Sequence, residues 1–252
     1  MADAYGPDDC QGSYRSSPDP QAAMIEGVTF KKKAVLYASV DNVAIVEGDI
    51  AIGRTLNDGR FITYRGVGIS AAEARWPSKT IPYLLAPGFV GPERIAEAIK
   101  HWHEKTKIRF IERTTEADYV EFINGGGCYS AVGRQGGRQE ISLGTGCTTG
   151  NAIHEMGHTV GLWHEQSRED RSQFIELHME NCLAGYEHNF DQHITDGDDL
   201  GAYDYGSIMH YPANAFSKNG QSTIIPKLAG VSIGQRLGLS AGDIAAVELM
   251  YP

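Results

Sequence analysis

Five positions at fixed spacing are the first feature with chemical consequences in this chain of 252 residues. Residues 154–164 read His154-Glu155-Met156-Gly157-His158-Thr159-Val160-Gly161-Leu162-Trp163-His164, the pattern H-E-x-x-H-x-x-G-x-x-H. On a helix of 3.6 residues per turn, His154 and His158 lie one turn apart on one face, so both rings reach a single ion. Gly161 suits a left-handed helix end, which turns the chain and lets His164 return to the same ion from outside the helix. Three neutral imidazoles with a position left for water describe a catalytic zinc centre holding one Zn2+, because a structural site closes with a fourth protein ligand. Glu155 adjoins the ligands without being forced to ligate, so its carboxylate can act as a base toward water. Five fixed residue types over about 250 starting points coincide by chance on the order of once in ten thousand sequences.

The elements that must hold this helix are legible in part. Ahead of it, residues 81–85 read as a strand, and Pro92 opens a helix whose Ile95, Ala98, Ile99 and Trp102 recur at i, i+3, i+4 and i+7. Alternation predicts strands at 107–111, 119–123 and 139–143, and Ser240 with Asp243 starts a capped helix carrying Ile244, Val247 and Tyr251. This mixture is a helix-backed sheet of the α+β class. His101 and His103 fall on the outer side of the first helix and read as solvated, with no metal role. Before the domain, short β-rich runs at 34–37, 43–46 and 61–64 are split by Asp41-Asn42, Gly48-Asp49 and Asn57-Asp58-Gly59; so little sheet must be held against something else. Residues 1–27, rich in Asp, Pro, Ser, Gly and Gln, read as a loosely ordered leader.

Composition bounds the alternatives. Hydrophobic residues make up 41% and charged residues 21%, enough for a sizeable core. The net charge of -10 and the lack of a basic stripe argue against a nucleic-acid partner, and no apolar run is long enough for a membrane span. No secretory signal is expected in the opening residues, which lack a basic segment followed by an apolar one. Four cysteines, Cys10, Cys128, Cys147 and Cys182, match no C-x-x-C spacing.

The histidine motif continues as Glu165-Gln166-Ser167-Arg168-Glu169-Asp170-Arg171 and is followed by Tyr205-Gly206-Ser207-Ile208-Met209-His210-Tyr211. With Arg75-Trp76-Pro77, Gly127-Cys128-Tyr129-Ser130 and Gly146-Cys147, it resembles the astacin family of metzincin zinc endopeptidases from about residue 66 to 252. The resemblance implies a zincin-like fold of two subdomains flanking a cleft, with His154, His158 and His164 as zinc ligands and Glu155 as general base. It implies that Tyr211 is a further zinc ligand at rest and an oxyanion donor during catalysis, and that Met209 forms an apolar floor beneath the histidines. It also implies a Cys128–Cys147 disulfide, and an edge strand at 139–143 on which an extended peptide substrate pairs antiparallel. The family's second disulfide has no counterpart, since Lys107 and the Met250-Tyr251-Pro252 end stand where its partners would be. Cys10 and Cys182 are then expected to be unpaired, with Cys182 a small core residue.

The resemblance extends into the leader. Val46-Glu47-Gly48-Asp49 is similar to the family's aromatic-x-Gly-Asp motif, with Val in the aromatic place, which implies that Asp49 is the latent-state zinc ligand and the pro-segment the enzyme's own inhibitor. Residues 1–65 are thus expected to be a leader and inhibitory pro-segment, and 66–252 a monomeric peptidase domain, secreted or exported. Cleavage near Arg65-Gly66 would free an α-amino group able to reach Glu165, which is read as structural support. The competing expectation is a catalytically silent, zinc-bound module that captures extended peptides; the presence of Glu155 argues against it.

Overall fold

The computed structural model describes residues 14–25, 33–56, 61–64, 74–192 and 199–252. Cys10 and the Arg65-Gly66 bond lie outside the described residues. Strands β1 (Gln21–Ile25), β2 (Lys33–Val40), β3 (Val43–Val46), β4 (Ile50–Thr55) and β5 (Phe61–Thr63) form an antiparallel meander. Asp41 and Asn42 both take positive φ, 53° and 64°, the geometry of a two-residue hairpin loop matched to strand twist. All four residues of β3 are buried.

The larger part contains β6 (Thr80–Leu85), α1 (Pro92–Lys105), β7 (Arg109–Glu112), β8 (Tyr119–Ile123), β9 (Cys128–Ser130), β10 (Arg138–Leu143), α2 (Thr149–Val160), β11 (Ile175–Leu177), β12 (Ile224–Pro226) and α3 (Ala241–Met250). One sheet joins both parts in the order β1-β2-β3-β4-β9-β10-β8-β6-β7, with β5 on β4. The junction is narrow: β4 runs parallel to β9 at Ile50 and Ser130, and the Asp49 carbonyl accepts from Ser130 N–H at 3.0 Å. A small apolar cluster containing Val46, Ile50, Ile52, Ala74 and Val132 backs that seam. Strands β1–β5 are therefore held against something else, as their scarcity required.

Residues 139–143 do not form an edge. β10 pairs with β8 along residues 138–142 and with β9 at residues 141–143, so it lies inside the sheet. β9, which pairs with β10 and β4, has three residues after a run of glycines, too short to show alternation in the sequence. His101 and His103 also differ from expectation: His101 Nε2 accepts from Leu239 N–H and His103 Nε2 from Phe110 N–H, each at 3.0 Å.

α1 and α2 pack on one another beside the sheet. Ile95, Ala98, Ile99 and Trp102 of α1 are buried, and the Trp102 indole donates to the Ile153 carbonyl of α2 at 3.3 Å. The carbonyls that a helix end leaves unpaired are capped by distant side chains: Trp76 Nε1 donates to Thr159 O at 2.9 Å and Tyr251 Oη to Val160 O at 2.7 Å. Cys128 and Cys147 are joined, tying β9 to the segment before α2 with a Cα–Cα distance of 6.1 Å. Cys182 is a buried free thiol, its pKa pushed up to about 12 by burial. Beyond α2 the chain is mostly turns around an aromatic cluster of Tyr14, Phe190, Tyr203, Tyr211 and Phe216, closed by the β11–β12 pair. No described helix is long and apolar enough to cross a membrane.

Candidate metal centre

α2 carries the first two histidines and is fixed at both ends. Thr148 and Asn151 form a reciprocal capping box at its start. At its end Gly161 has φ 126°, and its N–H bonds to the Gly157 and His158 carbonyls, so the chain reverses without a Cβ in the way. His164 thereby returns to the face that presents His154 and His158.

Each imidazole has its outer nitrogen committed. His154 Nδ1 lies 2.8 Å from the Ile208 carbonyl, His158 Nδ1 2.8 Å from the Leu162 carbonyl, and His164 Nδ1 2.6 Å from Glu47 Oε2. A ring N–H donated to such an acceptor leaves Nε2 as a lone pair, the usual arrangement around a metal. The three Nε2 atoms converge on Asp49, at 3.3, 3.7 and 3.1 Å for His154, His158 and His164. The four ligand atoms lie within 4.8 Å of one another, all buried. Among the described residues, His158 Nε2, His164 Nε2 and Asp49 Oδ1 have no hydrogen-bond donor. Buried acceptors facing one another are costly unless a cation sits between them, so three imidazoles and a carboxylate fit Zn2+.

Surrounding groups are tuned by burial. Glu155 is 1% exposed, and burial together with the Asp49 charge pushes its carboxyl well above the ordinary range. Tyr211 is fully buried, which raises its phenol, and its hydroxyl donates to the Glu47 carbonyl. The Met209 thioether packs under α2: a Cβ on Gly157 would lie 2.8 Å from Met209 Sδ. Glu165 Oε1 accepts from Asp204 N–H at 2.7 Å, and burial raises its carboxyl to about 8.

Several residues of the site escaped sequence reasoning. Glu47 occupied an unspecified motif position, yet its side chain reaches His164 and its carbonyl reaches Tyr211. Asp243 was legible only as a helix cap, but it also accepts from Ser207 Oγ at 2.6 Å and Ile208 N–H at 2.9 Å, anchoring the turn that carries Met209. Gln166 Oε1 accepts from Tyr211 N–H at 2.9 Å. No local pattern marks such partners, because the pairs are separated by tens of residues.

The model of the peptidase family described as Astacin matches residues 68–252. Zinc metalloproteinase nas-13 of Caenorhabditis elegans is 44% identical over 183 residues, covering 70% of this chain and 41% of that protein. Astacin-like metalloprotease toxin 1 of Loxosceles intermedia is 40% identical over 222 residues, covering 84% of this chain and 82% of the toxin. The chain thus spans about two-fifths of the length of the first relative and most of the second. Among solved structures, the hatching enzyme zinc-protease high choriolytic enzyme 1 of Oryzias latipes superposes with a TM-score of 0.68 at 36% identity, over 73% of this chain and 98% of that one.

Proposed function

The chain belongs to the astacin family of peptidases, and from that premise we propose that it is a zinc endopeptidase held latent by its own leader. The peptidase is residues 66–252, and residues 1–65 are the inhibitory pro-segment. One observation carries the latency reading. Asp49, which lies outside the matched range, places its carboxylate among the Nε2 atoms of His154, His158 and His164.

His154, His158 and His164 would hold Zn2+, with Asp49 taking the remaining position. Zinc supplies Lewis acidity there, polarising a carbonyl oxygen and bringing the pKa of water close to 7. Once Asp49 leaves, Glu155 accepts the proton of the attacking water and hands it to the departing amine nitrogen. The Tyr211 hydroxyl, freed from the Glu47 carbonyl, donates to the oxygen that gains charge as the peptide carbonyl is attacked. Tyr211 is also the candidate for a further ligand at rest. Met209 supports the ligand helix from below.

Substrate is an extended peptide, paired through its backbone to β9, the strand that β4 now covers. The leader runs parallel to β9 there, so an antiparallel substrate lies in the opposite sense. Cleavage near Arg65-Gly66 releases the leader, and the new α-amino group pairs with Glu165, whose buried carboxyl has Arg168 Nε at 3.6 Å as its nearest cation among the described ion pairs. The Cys128–Cys147 bridge supports export to an oxidising space, where the peptidase acts as a monomer.

The test compares the full chain with Asp49→Ala and Glu155→Ala variants, measuring zinc by mass spectrometry and cleavage of a peptide library. Intact wild type should carry one zinc per chain and cut slowly; Asp49→Ala should cut at least tenfold faster without processing. Glu155→Ala combined with Asp49→Ala should keep zinc and lose cleavage. Zinc retained with no cleavage in Asp49→Ala would instead indicate the silent peptide-capturing module.

A further inference from the structure

Tyr211 stands in a segment of turns, with no helix or strand to occupy its main-chain groups, so these need partners of their own. Its N–H donates to Gln166 Oε1 at 2.9 Å, and its carbonyl lies 2.7 Å from His210 Nδ1. A carbonyl only accepts, so Nδ1 carries a proton. The other ring nitrogen, Nε2, lies 2.7 Å from Tyr203 Oη. Both partners are uncharged and the ring is fully buried, which keeps the imidazole neutral; Nε2 is then an acceptor and Tyr203 donates to it. Tyr203 is gripped in turn, its ring stacked on Phe174 with centroids 4.6 Å apart and the Arg168 guanidinium 5.7 Å over its face. On the far side of Tyr211, Pro212 closes against Gly234, where an added Cβ would lie 2.2 Å from Pro212 Cα.

These contacts hold the main chain of Tyr211 and leave its phenol to rotate away from the Glu47 carbonyl. A donor stabilises developing charge only if it is in place beforehand, and a displacement of about 1 Å transmitted from elsewhere costs up to about 100-fold in rate. We propose that Tyr203 and His210 are positioning residues for the peptidase reaction: a Tyr203–His210 relay fixes the Tyr211 main chain, so that the freed hydroxyl meets the oxygen of the attacked peptide. Neither belongs to the ligand set of the metal centre. The inference rests on the reading of Tyr211 as oxyanion donor given above. Tyr203 is needed because without its hydroxyl Nε2 becomes a buried acceptor with no donor. The imidazole then turns or changes tautomer to find one, and the Tyr211 carbonyl loses its N–H.

The experiment uses full chains carrying Asp49→Ala and pairs each relay change with Tyr211→Phe. Tyr203→Phe removes one hydroxyl and nothing else; His210→Asn keeps a side-chain N–H for the Tyr211 carbonyl, where His210→Ala has none. Tyr203→Phe and His210→Ala should each lower kcat about tenfold with KM unchanged and zinc retained, and His210→Asn should recover most of that loss. With Tyr211→Phe already present, neither change should lower kcat further, because residues that act through one group are not additive. Equal losses with and without the Tyr211 hydroxyl, a change in KM alone, or no recovery by asparagine overturns the relay. If His210→Ala does not fold, Tyr203→Phe carries the same comparison. Hydrogen exchange reads the clamp without turnover: Tyr203→Phe should speed exchange of the Tyr211 amide about tenfold relative to the Trp102 amide of α1, and an unchanged ratio overturns the relay. Tyr211→Phe at full rate also overturns it, leaving the zinc peptidase reading intact. Chains that cut no peptide contradict that reading instead, and exchange then decides the relay by itself.

Discussion

At the scale of single residues, the centre depends on what lies behind the ligands as much as on the ligands. Two histidines lean on backbone carbonyls within the peptidase part, whereas His164 leans on Glu47, which lies ahead of the range matched by the family model. A carboxylate behind a ligating imidazole fixes its tautomer and raises its basicity, and loss of such a partner typically weakens metal binding 10–100-fold. Glu47→Ala in the full chain should therefore weaken zinc binding by about that factor, read by competition with a chromophoric chelator. An unchanged affinity would show that His164 is oriented by other groups. Glu47 also holds the Tyr211 hydroxyl, so residues 47–49 engage the third ligand, the proposed oxyanion donor and the metal position together.

At the scale of elements, turns decide whether these groups meet. Gly48 has φ 73°, and an added Cβ would lie 2.9 Å from the Phe216 ring and 3.0 Å from Tyr14. Gly48→Ala should thus loosen residues 47–49 and raise peptidase activity of the unprocessed chain several-fold; unchanged latency would argue against a tight turn there. α3 is coupled to the Met209 turn through Asp243, which caps its own helix and receives Ser207 and Ile208. Asp243→Ala removes a cap and strands buried donors, for a loss of about 2–3 kcal/mol in urea unfolding. A loss near that of an exposed cap alone, below about 1 kcal/mol, would mean that the turn holds itself.

At the scale of the whole molecule, one sheet joins residues 14–64 to the peptidase part through a single parallel strand pair, and the two parts also meet at apolar clusters around Val46 and Tyr129, at the Arg54–Glu140 ion pair of 2.6 Å and at the aromatic contact of Tyr14 with Tyr211. A metal ion held by Asp49 and the three histidines would add a further link between them. Chelation leaves buried acceptors facing one another, so zinc removal should lower the thermal midpoint and expose the leader to proteolysis before the peptidase part. Simultaneous digestion of both would show that the seam suffices without metal. The Cys128–Cys147 bridge, at a sequence separation of 19, contributes about 3 kcal/mol by loop-closure entropy, and replacing both by serine should cost about that much in chemical unfolding.

The ligand helix, the three histidines, the glycine that returns the chain and the α1 apolar face were all legible in the sequence, because each depends on spacing within a few turns. So was the α+β class, and the family resemblance extended it to the fold. Only the tertiary structure decided that residues 139–143 lie inside the sheet, since β9 is too short for a periodic signal and β10 pairs on both sides. It likewise decided that Glu47 stands behind His164 and that Tyr14 reaches Arg236, contacts separated by 117 and 222 residues. Local pattern records the period of an element; which groups meet across the cleft depends on how the elements pack, and no single segment carries that information.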